Sequence, residues 1–150
     1  MKGSRASRTS RSCISKMIYT NSDGGSRGNP GPAAIGVVVR ENDSILEMYN
    51  ENIGKATNNE AEYFALIRAL QLAATYTKEE VTCILDSELV VKQLLGQYRV
   101  KNERMLKLFL QVQYLQENFK KIKYVHVKRE DQFQQIADAL LNIKLDEKKP

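Results

Sequence analysis

The stretch MIYTNSDGGSRGNPGPAAIGVVVR, Met17 to Arg40, decides the architecture. MIYTNSD (17–23) is rich in β-formers and runs into GGSRGNPGP (24–32), a Gly/Pro-rich segment that reads as a turn. AAIGVVVR (33–40) follows as a second strand, ENDS (41–44) as a turn and ILEMYNENIG (45–54) as a third strand. Such short links make an antiparallel three-strand start. The period then changes. TNNEAEYFALIRALQLAATYT (57–77) predicts a helix with Thr57 or Asn58 as its N-cap. Ala61, Ala65, Ala69, Leu70, Leu72 and Ala73 leave it apolar nearly all round, as suits a helix packed on a sheet. VTCILD (81–86) is a short apolar run of the kind that forms a buried central strand. SELVVKQLLGQY (87–98) predicts a helix stopping near Gly96, and NERMLKLFLQVQYLQENF (102–119) an amphipathic one. KIKYVHVKRE (121–130) is a fifth strand and QQIADALLNIKLD (134–146) a last helix. The order βββαβααβα specifies an α/β fold: a five-stranded mixed sheet, three strands antiparallel then two parallel, with helices on both faces.

A chain of 150 residues suits one core. The expected organisation is a basic, Ser/Arg-rich segment over residues 1–16, a folded domain over 17–146 and a short tail over 147–150. MKGSRASRTSRSCISK holds too little apolar surface to offset the entropy of ordering and is expected to be disordered. An added leader, translation from upstream of Met17, a transit peptide or a phosphate-contacting basic arm each fit it; the first two are favoured, because it lacks an amphipathic face. The net charge is +5, but residues 1–17 carry five of the 23 basic residues and no acid, so the remaining 18 bases balance 18 acids. A basic pI is thus no evidence for a basic domain. Cys13 and Cys83 lack metal-ligand spacing and are not expected to form a disulfide; Cys83, within VTCIL, reads as a small buried hydrophobe. No apolar run approaches a membrane span, and the expected location is cytoplasmic.

The acids fall at telling places. Asp23 ends the first strand and Asp86 the fourth; Glu62 lies about a turn into the first helix, and Asp138 begins the last. If those strands are adjacent in the sheet, Asp23 and Asp86 sit side by side at strand ends, where sites form in open α/β sheets. Carboxylates drawn together repel unless cations neutralise them. Oxygen ligands on a partly hydrated ion suit Mg2+ or Mn2+, and two such ions promote phosphodiester hydrolysis. Taken singly, each acid is more simply a cap, a turn residue or a solvated charge.

Four motifs in order raise that reading. DGGSRGNPGP (23–32), TNNEAEY (57–63), LDSELVV (85–91) and HVKRE through IADALLN (126–142) resemble those of the type 1 ribonuclease H family over about Met17 to Asp146. The resemblance implies an RNase H-like fold and an endonuclease hydrolysing the RNA strand of RNA–DNA hybrids by two-metal-ion catalysis, leaving 5′-phosphate and 3′-hydroxyl ends. It implies that Asp23, Glu62, Asp86 and Asp138 hold two Mg2+ ions, with Mn2+ as an alternative, Asp23 bridging and Asp138 the more mobile. Substrate contacts are expected from Gly24, Gly25, Ser26, Asn29, Asn58, Asn59, Ser87 and Arg129, with Asn59 leaning toward the DNA strand. Recognition of the 2′-hydroxyl distinguishes RNA from DNA. The expected partner is the hybrid duplex, with no membrane, no obligate protein partner and a monomeric state. Two other functions stay open: a hybrid-binding module with weak or no cleavage, and a DNA-directed nuclease of the same fold.

The chain departs from the family pattern in several places. Its one histidine, His126, lies in phase with Tyr124 and Ile122 and reads as structural, with Arg129 or Glu130 where many members carry a mobile histidine. This resembles a subgroup lacking both that histidine and a basic, Trp-containing handle, here replaced by GQYRVKN (96–102). The segment from Glu130 to Ala137 is about two residues longer than usual, Gln134 replaces a common Asn, and Glu88 stands where Gln often follows the DS pair. Phosphate grip is then expected from Lys92, Arg99, Lys101, Arg104, Lys107, Lys120, Lys121, Lys123, Lys128 and Arg129.

Overall fold

The structure is a computed structural model that describes residues 17–147. The expected disordered segment, Cys13 and residues 148–150 lie outside the described residues. The elements are β1 (Ile18–Ser26), β2 (Gly31–Glu41), β3 (Ser44–Ala56), α1 (Asn58–Ala73), β4 (Glu80–Leu85), α2 (Glu88–Leu94), α3 (Glu103–Gln116), β5 (Lys121–His126) and α4 (Gln132–Asp146). They run in the expected order. The sheet order is β3-β2-β1-β4-β5, with β1–β2 and β2–β3 antiparallel and β4 parallel to both β1 and β5.

One sequence expectation needs correcting. GGSRGNPGP is not all turn: β1 continues through Gly24, Gly25 and Ser26, paired with Ile35, Ala34 and Ala33, and β2 already begins at Gly31. Glycine permits a turn but does not require one. Gly24 is needed for a different reason. A Cβ there would lie 2.1 Å from the Ala61 carbonyl oxygen, so its absence lets α1 rest directly on β1. Across the sheet, a Cβ at Gly36 would lie 2.1 Å from the Ala137 carbonyl oxygen, so α4 approaches β2 equally closely on the other face. Asp23 pairs with Gly36 and therefore shares the α4 face, while Gly24 turns toward α1.

Helix α1 starts where a capping box forms: the Thr57 hydroxyl accepts from Glu60 N–H and the Glu60 carboxylate accepts from Thr57 N–H. Its small residues Ala61, Ala65, Ala69 and Ala73 are buried, and Tyr63, Leu66 and Leu70 fill the core with Val37, Val39, Val81 and Leu85. Each fully buried large side chain contributes roughly 1.5–3 kcal/mol. The Tyr63 hydroxyl donates to Gln93 Oε1 at 2.6 Å, tying α1 to α2 inside the core. Helix α2 ends as expected, with Gly96 at φ +80°. Cys83 is buried, and burial pushes its thiol up to about 12. His126, by contrast, is exposed at the end of β5 rather than packed beside the half-buried Tyr124 and Ile122. It is the last residue of the strand. Helix α4 begins at Gln132, two residues before the expected start, because Asp131 caps it by accepting from Phe133 N–H and Gln134 N–H. Among the described residues, no helix is long and apolar enough to cross a membrane.

Candidate active site

Strand β4 ends at Leu85, which pairs with Ser22 of β1, so Asp86 emerges beside Asp23. Glu62 reaches the same point from α1, where its Oε1 accepts from Gly24 N–H at 3.3 Å. Oxygens of Asp23, Glu62 and Asp86 lie within 4.8 Å of one another. Asp138 lines the same cleft from α4 and helps to raise Asp23. Four elements from both faces of the sheet thus deliver the four expected acids to one cleft. That cleft is lined by Asp23, Glu62, Asp86 and Asp138 and by Gly24, Gly25, Ser26, Asn58, Ser87 and Arg129, all expected from sequence.

Asn29 and Asn59 do not line it. Asn29 Oδ1 instead accepts from Asn58 N–H at 3.0 Å, and Asn58 Oδ1 accepts from Ser26 N–H at 2.8 Å. The first two motifs therefore hold each other: the turn after β1 satisfies a free N–H at the start of α1. Arg27, which the sequence reading passed over as a turn residue, also lines the cleft. Its guanidinium bonds Leu145 O and Asn142 Oδ1 at 3.3 Å and Asp146 at 2.6 Å, bracing the cleft against the end of α4. A charged side chain inside a glycine-rich turn was the available signal; its partners lie more than 110 residues away.

Several expected phosphate-binding cations are engaged with acids. Lys92 pairs with Glu88, Arg104 with Glu60, Lys120 with Glu79 and Lys123 with Glu80. Arg129 also faces an acid, its Nε 3.9 Å from Asp86 Oδ2, but at the cleft edge. Arg99 and Lys101 share a separate groove with Leu89, Gln97 and Tyr98.

The acids strain one another. Burial first, then the neighbouring Asp86 and Asp138, push Asp23 up to about 8. Burial, followed by Asp23 and Asp86, drives Glu62 well above its ordinary range. Asp86 is also raised by burial, against the pull of Arg129. Added positive charge would favour the ionised form of these carboxyls. The cluster's donors are carboxylate oxygens with no imidazole or thiolate, a set that fits Mg2+ or Mn2+ and disfavours softer ions.

The family model described as "Reverse transcriptase-like" matches residues 21–142. The bifunctional protein Rv2228c of Mycobacterium tuberculosis is 41% identical over 131 residues, 86% of this chain and 35% of that protein. The chain thus spans about a third of the length of that relative. Among solved structures, RNase H1 of Halobacterium salinarum is 39% identical with a TM-score of 0.82, covering 87% of this chain and 98% of that one. LC11-RNase H1 in complex with an RNA/DNA hybrid is 38% identical with a TM-score of 0.79, covering 84% of this chain and 94% of that one. The strand order and the parallel and antiparallel pairings agree with these ribonuclease H structures.

Proposed function

The chain belongs to the type 1 ribonuclease H family, and from that premise we propose that it is an endoribonuclease hydrolysing the RNA strand of RNA–DNA hybrids. The observation that carries the reading is the convergence of Asp23, Glu62, Asp86 and Asp138 on one cleft whose wall is built from the interlocked GNPGP and TNN segments. Asp23, Glu62, Asp86 and Asp138 would hold two divalent cations, Mg2+ or Mn2+. When bound, such ions activate water and stabilise the leaving oxygen of a phosphodiester.

The chain's own groups supply the rest. Asp23 has both Asp86 and Asp138 as charged neighbours and would be a ligand of the bound ions. Gly24 and Gly25 present backbone without side chains, which lets a sugar–phosphate strand approach closely. Asn58 Oδ1 is taken by Ser26 N–H, which leaves its Nδ2 to donate toward the cleft. Minor-groove base edges and 2′-hydroxyls offer acceptors for such a donor. Ser87, at the start of α2, and the Arg129 guanidinium flank the acids and would orient the scissile phosphate. Hydrolysis leaves a 5′-phosphate and a 3′-hydroxyl. Residues 17–146 are the proposed catalytic domain.

The test is cleavage of an end-labelled RNA–DNA hybrid with Mg2+ and with EDTA, beside double-stranded RNA and double-stranded DNA. The expected result is metal-dependent cutting of the RNA strand alone, abolished in a folded Asp86→Asn variant. Binding without cleavage would favour a hybrid-binding module, and cleavage of DNA duplexes a DNA-directed nuclease. A fully active, folded Asp86→Asn protein would overturn the carboxylate mechanism.

A further inference from the structure

Behind the acids, on the α4 side of the sheet, lies a buried polar chain outside the cleft lining. Arg40 of β2, Asn21 of β1 and Gln134 of α4 are 7%, 0% and 0% exposed. Arg40 Nε donates to Asn21 Oδ1 at 2.9 Å. Asn21 Nδ2 donates to Gln134 Oε1 at 3.1 Å, and Gln134 Nε2 donates to the Ser22 carbonyl oxygen at 2.7 Å. The guanidinium is held between rings, 4.6 Å from the Tyr19 centroid and 4.1 Å from that of Phe133, which belongs to the first turn of α4.

The direction of this chain is forced. Arginine donates and does not accept, so the Asn21 oxygen must face it. The Asn21 amide is then left to donate, so Gln134 must offer its oxygen, and the Gln134 amide must in turn find an acceptor. The acceptor it finds is the carbonyl of Ser22, the residue before Asp23 and the last of β1 to pair with β4. Gln134 lies four residues before Asp138, one turn back on the same face of α4. The cation therefore sets two amide orientations, and the second fixes the helix bearing Asp138 to the strand end bearing Asp23.

Filling a core does not call for such an arrangement. Burying a guanidinium costs several kcal/mol before its partners offset it, and an apolar side chain fills space more cheaply. Of the four acids, Asp23 and Asp86 flank a β ladder and the Glu62 carboxylate accepts from Gly24 N–H directly, whereas Asp138 is carried by α4, which lies on the sheet outside that ladder. The Gln134 amide supplies α4 with a comparable bond to the strand end.

We infer that Gln134, oriented through Asn21 by the buried Arg40, is a positioning residue that sets Asp138 against Asp23 for metal binding and hydrolysis. The inference rests on the proposed nuclease activity. Groups that orient a metal-binding side chain typically change affinity or turnover by about 10–100-fold when lost.

The test uses Gln134→Met, close in volume but unable to hydrogen-bond, and Arg40→Met, which removes the orienting cation. The full chain is assayed on the labelled hybrid at a temperature well below each variant's Tm. Mn2+ binding to the metal-free protein is measured in parallel by calorimetry. Both variants are expected to lower kcat about tenfold with KM for the hybrid little changed, and to weaken Mn2+ binding. Gln134→Glu keeps the oxygen for Asn21 but loses the donor to Ser22, and is expected to behave like Gln134→Met. The deciding readout is a double-mutant cycle on Mn2+ affinity with Asp138→Asn: if Gln134 acts through Asp138, the Gln134→Met effect largely vanishes in that background. An undiminished effect there, or folded Gln134 variants that lose Tm but keep wild-type kcat and Mn2+ affinity, would reduce the network to a structural one. Absence of hybrid cleavage by the wild-type chain would instead defeat the functional reading. Should Gln134→Met not fold, Arg40→Lys, which keeps the charge but not the planar donor, carries the same comparison.

Discussion

Replacing the central acid should make the metal-free protein more stable. In the folded chain Asp23 is pushed from its ordinary 3.8 to about 8, by burial and then by Asp86 and Asp138. The folded state therefore binds this proton more tightly than the unfolded state. The sign follows: the penalty is absent below the unfolded value near pH 4, grows as pH rises and is complete above about pH 8. At pH 7 the solution is about 3 units above the unfolded value, and at 1.36 kcal/mol per unit the penalty is capped at about 4 kcal/mol. Asparagine keeps the shape and removes the charge. Urea unfolding in EDTA should therefore show Asp23→Asn more stable than wild type by about 2–4 kcal/mol at pH 7, with the gap narrowing toward pH 4. Saturating Mg2+ should close much of the gap by stabilising the wild type, because a ligand that binds only the folded state adds RT ln(1 + [L]/Kd). An Asp23→Asn protein no more stable than wild type at pH 7, or a gap that does not depend on pH, would refute the electrostatic account of the cluster.

Two further outcomes follow from the packing. Gly36→Ala places a Cβ 2.1 Å from the Ala137 carbonyl oxygen and must push α4 off the sheet; it should cost about 1–3 kcal/mol in chemical denaturation and lower hybrid cleavage by displacing Asp138. His126→Ala removes an exposed side chain at the end of β5; stability should move by less than about 0.5 kcal/mol and most of the cleavage rate should remain. A loss of several orders of magnitude in the folded His126 variant would give the imidazole a catalytic role.

The order of elements was legible in the sequence, and so was the meeting of β1 and β4 beside Asp23 and Asp86; Asp23 nevertheless lies inside β1 rather than at its end, and Asp138 inside α4 rather than at its start. Alternation, helical period and turn residues are local properties. The carboxylate set was legible for a related reason: each acid sits inside a short motif whose neighbours shape the same cleft, as the bonds linking Asn29, Asn58 and Ser26 make plain. Other features depended on distant chain. Whether GGS is turn or strand depends on α1 lying against Gly24, and glycine is compatible with both. Arg27 joins the cleft wall because α4 ends beside it, and pairs such as Lys92–Glu88 and Lys123–Glu80 appear only once partners are placed. The Arg40–Asn21–Gln134 chain is the extreme case, since each residue alone reads as an ordinary polar side chain and its links cross 19 and 113 residues. Sequence by itself determined the order of elements, because periodicity is written along the chain, and through its family motifs it pointed to the four acids that the fold brings to one cleft. Tertiary structure decided which groups hold them in place, because buried hydrogen bonds and close backbone approaches exist only between segments that folding brings together.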